Sequence, residues 1–149
     1  SLRFMQPLIE ANGDQATKAS WAAWSANVAA ADEEAYAAGL ARRTAILRDW
    51  HRFFRRHPLL LCPVSRETPF PIDLDLTAEG QARILRAQEP LYVFNFLGLP
   101  GAVVPTATVA DNIPLGVQLV ADRFREDLCL DAAEVIEARA GCPAIVDPA

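Results

Sequence analysis

The chain has 149 residues, 52% of them hydrophobic, which is material for one domain with a real core and argues against disorder. Fourteen basic and nineteen acidic residues leave a net charge of -5, so the electrostatic footprint of a nucleic-acid binder is missing. Cys62, Cys129 and Cys142 are odd in number and show no CxxC pairing, the pattern of free cytosolic thiols and not of a metal centre.

The N-terminus, SLRFMQPLIEANGD, lacks a charged leader followed by a long apolar core and reads as neither secretory signal nor anchor. It does not begin with Met, as expected if upstream polypeptide has been removed. Residues 1–31 form a first, variable helical segment: from Asp14 to Ala31 the run is alanine-rich, with Trp21 and Trp24 three apart on one stripe. A longer helix is expected over Asp32 to His57. Asp32, Glu33 and Glu34 open it and Arg52, Arg55 and Arg56 close it, which complements the helix dipole at both ends. Tyr36, Leu40, Leu47, Trp50 and Phe54 recur at helical spacing as its buried face, and Pro58 stops it.

Leu59 to Cys62 is a short apolar run between prolines, the pattern of a strand covered on both faces. Thr77 is a good N-cap for a helix from Ala78 to about Glu89. Pro90 to Ala110 carries no charge and is long enough to span a bilayer. Pro90, Asn95, Gly98, Pro100, Gly101 and Pro105 break it, so buried strand and turn is the reading, with no membrane partner. Leu99 to Val109 and Leu115 to Ala121 complete the strands. A last helix from Glu126 to Ala140 carries Leu128, Ala132, Val135 and Ile136 as its apolar stripe and stops at Gly141. Several covered strands among helices define an α/β fold, a mixed sheet with helices on both sides.

Candidate chemistry is sparse. His51 and His57 lie six apart on one helix, turned by about 600 degrees, so they do not share a metal. The string His51 to His57 interleaves aromatics with cations, but Phe54 continues the core stripe and the arginines read as a solvated cap. Asp73 and Asp75 alternate as on one face of a strand; between Pro71 and Thr77 they are expected to be an exposed, charged lead into a helix. Cys62 inside LeuLeuLeuCysPro behaves as a small hydrophobe. No serine has a glycine neighbour and Lys18 is the only lysine, so no complete catalytic set is present.

The second half resembles a known family. PheAsnPheLeuGlyLeuProGlyAlaValValPro, Phe94 to Pro105, is similar to the N-x-x-GLP segment, strand and proline of amidase signature enzymes. AsnIleProLeuGlyValGlnLeuVal, Asn112 to Val120, resembles their G-x-P-x-GVQ strand, with Asn112 in place of glycine. Phe124 to Ala133 resembles their F-x-E-x-x-L-L-x-A-A helix, Cys129 standing for the first of the two leucines. Upstream, Tyr36 with Arg43 and then Pro58 to Val64 resemble the family's helix and D-x-LL-x-P strand, with Pro58 replacing the aspartate.

The resemblance implies amide hydrolysis by a nucleophilic serine, a second serine with a cis peptide bond and a lysine, all within segments that this sequence does not contain. Residues 32–149 then look like the C-terminal portion of an amidase domain, inactive alone and completed by the missing N-terminal catalytic portion. The resemblance places the loop Val64 to Phe70, with Val64, Ser65, Thr68 and Phe70, at the substrate pocket. Gln88 stands where the amidase-like component of tRNA-dependent amidotransferases has an aspartate that holds its amide substrate. No cofactor is implied; a small-molecule amide is the expected substrate, and homo-oligomerisation is left open. The alternative is a truncated, noncatalytic relative acting as a binding or assembly module.

Overall fold

The computed structural model describes residues 2–109 and 113–140. Its element order is α1 (Leu2–Asn12), α2 (Gln15–Ala26), α3 (Glu33–Phe54), β1 (Leu59–Pro63), a 3-10 turn (Leu74–Leu76), α4 (Ala78–Ala87), α5 (Glu89–Leu97), β2 (Gly101–Val109), β3 (Ile113–Ala121) and α6 (Glu126–Ala140). The expected caps act as capping residues should. Asp32 accepts a hydrogen bond from the Ala35 N–H at 2.8 Å, and Thr77 Oγ1 accepts one from the Gly80 N–H at 3.1 Å.

The strands form an α/β sheet of order β1-β3-β2, in which both pairings are antiparallel. Any parallel pairing of a larger mixed sheet therefore lies outside these three strands. In the centre, Gln118 to Ala121 of β3 are all buried. Register puts Leu60 opposite Val120 on one face and Ala102 opposite Leu119 on the other. The first face meets α3 and α5 through Leu47, Phe54, Phe94, Leu97 and Leu99, with Trp50 edge-on to Phe94 at 5.3 Å between ring centroids. The second face meets α6, whose Cys129 is buried with its Sγ 3.7 Å from the Pro100 carbonyl oxygen.

Helices thus lie on both faces, but the two layers are offset. The α3–α5 layer leaves Val103 of β2 55% exposed, and α6 leaves Leu61 of β1 57% exposed. Among the described residues Leu59 to Cys62 is consequently not covered on both faces, as its pattern predicts; the apolar run is real, but Leu61 faces outward. The same holds on α3, where Leu47 and Phe54 are buried while Tyr36 is 66% and Leu40 46% exposed.

Three expectations are corrected. Residues 90–97 are helix and not strand and turn: Pro90 sits in the first turn of α5, where its missing N–H costs nothing, and Gly98 at φ 68° closes the helix. Asp73 and Asp75 do not share a strand face, because the chain coils into the 3-10 turn with Asp73 left-handed at φ 65°. Along α6 the buried residue is Cys129, and Val135 of the expected stripe is exposed. Gly141, Cys142 and Asn112 lie outside the described residues.

Candidate functional site

The loop after β1 and the junction of α4 and α5 come together. The Arg66 N–H donates to the Ala87 carbonyl at 2.9 Å, the Arg66 guanidinium pairs with Glu89 at 2.7 Å, and Arg83 of α4 pairs with Glu67 at 2.7 Å. Three contacts across some twenty residues of sequence fix the loop against the end of α4. Each ion pair is solvent-exposed and worth little alone, so the loop's position rests on the set.

Gln88 is the residue between the two helices and is half-buried; its Oε1 accepts a hydrogen bond from the Tyr92 hydroxyl at 3.1 Å. Ser65 is half-buried and its Oγ accepts from the Glu67 N–H at 3.2 Å. Val64 and Phe70 are half-buried and Thr68 is exposed. Loop and glutamine therefore share one neighbourhood, joined through Arg66, Ala87 and Glu89.

The segment that follows is held by two arginines. Arg43 of α3 donates from Nε to the Phe96 carbonyl and from Nη2 to the Leu97 carbonyl at 3.1 Å, and Arg123 donates to the Leu97 carbonyl at 3.0 Å. These carbonyls end α5 and have no partner within the helix, so guanidinium donors there satisfy orphan acceptors and complement the dipole. The GLP turn, Gly98 to Pro100, is thereby fixed at the entry to β2.

The remaining chemistry-bearing groups are engaged elsewhere. His51 Nδ1 and Asp122 Oδ1 form a short pair between α3 and the end of β3. The His57 ring packs on Phe53 with centroids 4.9 Å apart. Cys62 Sγ accepts from the Gln118 side-chain amide at 3.7 Å, and burial pushes both the Cys62 and Cys129 thiols up. Among the described residues, no three His, Cys, Asp or Glu side chains gather as metal ligands, and no helix is long and apolar enough to cross a membrane.

Sequence reading missed a second concavity, a cleft of about 630 Å3 between α2 and the 3-10 turn, α4 and α5. It adjoins the first region through Tyr92, which lines the cleft and donates to Gln88. The three-residue spacing of Trp21 and Trp24 was the only local signal.

The α/β unit with its arginine-clamped GLP turn leading into β2 is consistent with the family that comparison with known proteins finds. The amidase family profile matches residues 2–130, and the chain belongs to that family. It is 40% identical over 130 residues to an indoleacetamide hydrolase of Bradyrhizobium japonicum, covering 82% of this chain and 26% of the relative. Identity to an indoleacetamide hydrolase of Bradyrhizobium diazoefficiens is also 40% over 130 residues, covering 82% and 24%. One component of the glutamyl-tRNA(Gln) amidotransferase of Xanthobacter autotrophicus is 36% identical over 100 residues, covering 66% and 20%. The chain spans about a quarter of the length of its indoleacetamide hydrolase relatives.

Proposed function

We propose that this chain is the C-terminal portion of an amidase-type hydrolase acting on carbon–nitrogen amide bonds. It supplies sheet, helices and one wall of the substrate pocket, while the groups that break the bond sit on the N-terminal catalytic portion. The observation that carries the proposal is the apolar surface left without cover. Tyr36 and Leu40 on α3 lie on a stripe that is buried further along at Leu47 and Phe54, Leu61 on β1 and Val103 on β2 are exposed apolar residues on the sheet faces, and among the described residues both outer strands have open edges.

The pocket wall is the Val64 to Phe70 loop with Gln88. A neutral glutamine at that place suits an amide without an ammonium group, and the 40% identity to indoleacetamide hydrolases favours a small aryl amide. Residues 32–149 act as the domain portion and residues 1–31 as its variable helical lead. A reducing, cytoplasmic setting fits the unbridged Cys62 and Cys129.

Incubation of the chain with simple aliphatic and aryl amides, alongside a serine-directed probe, is expected to give neither turnover nor labelling. Either would refute the placement of the nucleophile on another segment.

A further inference from the structure

Two arginines from distant parts of the chain converge on one carbonyl oxygen. Arg43 Nη2 and Arg123 Nη2 donate to the Leu97 carbonyl at 3.1 and 3.0 Å, so the two nitrogens lie within about 6.1 Å of one another. Arg43 is held further by its Nε on the Phe96 carbonyl and by packing over the Phe96 ring, 5.6 Å from the centroid. Gly98, left-handed at φ 68°, contributes no side chain to the space beside them: a Cβ there would lie 3.2 Å from Arg123 Nη2 and 3.4 Å from Arg43 Nη2. The pair is thus fixed before any ligand arrives.

The C-terminus of a helix carries the equivalent of about half a negative charge, which one guanidinium more than offsets. The second adds a like charge at short range, and among the described residues no carboxylate pairs with either arginine. Both residues are half-buried, so solvent screens the charges only in part. Their donors are also unspent: both Nη1 groups and the Arg123 Nε donate to no described residue. Guanidinium forks held in place, with open N–H groups and uncompensated charge, are matched by an oxyanion.

We propose that Arg43 and Arg123 form a binding site for a carboxylate at the end of α5. The Phe96 and Leu97 carbonyls already take up part of the charge, so a monoanion is favoured over a phosphate dianion. The nine residues of α5 separate the pair from Gln88, so the site is distinct from the proposed pocket wall. It stands on this chain's own residues and does not depend on the hydrolase reading. A carboxylate side chain of the proposed N-terminal portion and a free carboxylate ligand would present the same group to it.

The test uses the 149-residue chain, isotope-labelled and titrated with sodium acetate against sodium chloride at constant ionic strength, with the arginine Nε–Hε resonances as the readout. Saturable shifts at Arg43 and Arg123 are expected, and phosphate should bind no more tightly than acetate, which separates a shaped site from general attraction to charge. Arg123→Gln should weaken acetate about tenfold, and Arg123→Lys, which keeps the charge and loses the fork, by less. Arg48→Gln, exposed on the same helix as Arg43, should change nothing. No saturable shift, tighter binding of phosphate, affinity indifferent to Arg123→Gln, or an equal loss in Arg48→Gln overturns the proposal. Acetate titrated into this chain in complex with the N-terminal remainder of the Bradyrhizobium japonicum relative tells the two sources apart: a seated side chain leaves both signals shifted and unresponsive, and a free-ligand site responds as in the chain alone. Amide turnover by the chain alone would count against the hydrolase reading and leave this site standing.

Discussion

Leu97, 1% exposed and set between α3 and β3, makes the largest single-residue case: Leu97→Ala should cost about 2–5 kcal/mol in denaturant unfolding, the transfer of the side chain plus the cavity it leaves. The glycines give a paired test. Gly39→Ala meets nothing within 4 Å on exposed α3 and should stabilise by about 0.5–1 kcal/mol, whereas Gly80→Ala drives a methyl into the Leu74 carbonyl and should lower the midpoint sharply. Burial raises the Cys129 thiol above its ordinary 9.0, so iodoacetamide at neutral pH should label it slowly in the folded chain and quickly in denaturant, as read by peptide mass. Asp14 and Asp127 titrate below the ordinary 3.8, Asp14 through the Thr17 N–H and Asp127 through Arg125. A carboxyl depressed on folding stabilises above its unfolded value and loses that contribution as pH falls through the folded one. Helicity should therefore decline below about pH 3.8, and Asp14→Asn should remove part of the dependence.

At the scale of elements, α3, β1, α4, β3 and α6 were legible because each carries its own punctuation: Asp32 and Thr77 as caps, Pro58 as a stop, and charge against apolar period. Helix α5 was not. Its segment from Pro90 to Leu97 has no charged residue to mark a solvent face, and Pro90 reads as a breaker although the first turn accepts it. The cleft was illegible for a different reason. Ser20 meets Gln81 across 61 positions, and no local pattern reports a contact at that range. The Val64 to Phe70 loop and Gln88 were named only through resemblance; their convergence is a matter of Arg66, Glu67, Arg83 and Glu89, which as isolated surface charges carry no signal. The unpacked start of α3 supports a separate expectation. Tyr36→Ser with Leu40→Ser should change the stability of this chain by under about 0.5 kcal/mol, as surface substitutions do. If the proposed N-terminal portion covers these exposed side chains, the same pair should weaken its association with this chain.

For the whole molecule, the offset of the two helical layers is the central fact. One covers β1 and β3, the other β3 and β2, so the middle strand is buried while Leu61 and Val103 face outward from opposite faces of the two edge strands. Among the described residues both sheet edges are open with apolar residues beside them, which is the surface that the proposed N-terminal portion would continue. The most direct test is complementation: this chain mixed with the N-terminal remainder of the Bradyrhizobium japonicum indoleacetamide hydrolase, and release of ammonia from indole-3-acetamide followed for each part and for the mixture. The account predicts no turnover by this chain alone and turnover by the mixture that vanishes when the partner's nucleophilic serine is replaced. Ammonia release by this chain alone, or a mixture that stays bound together yet silent, would contradict it.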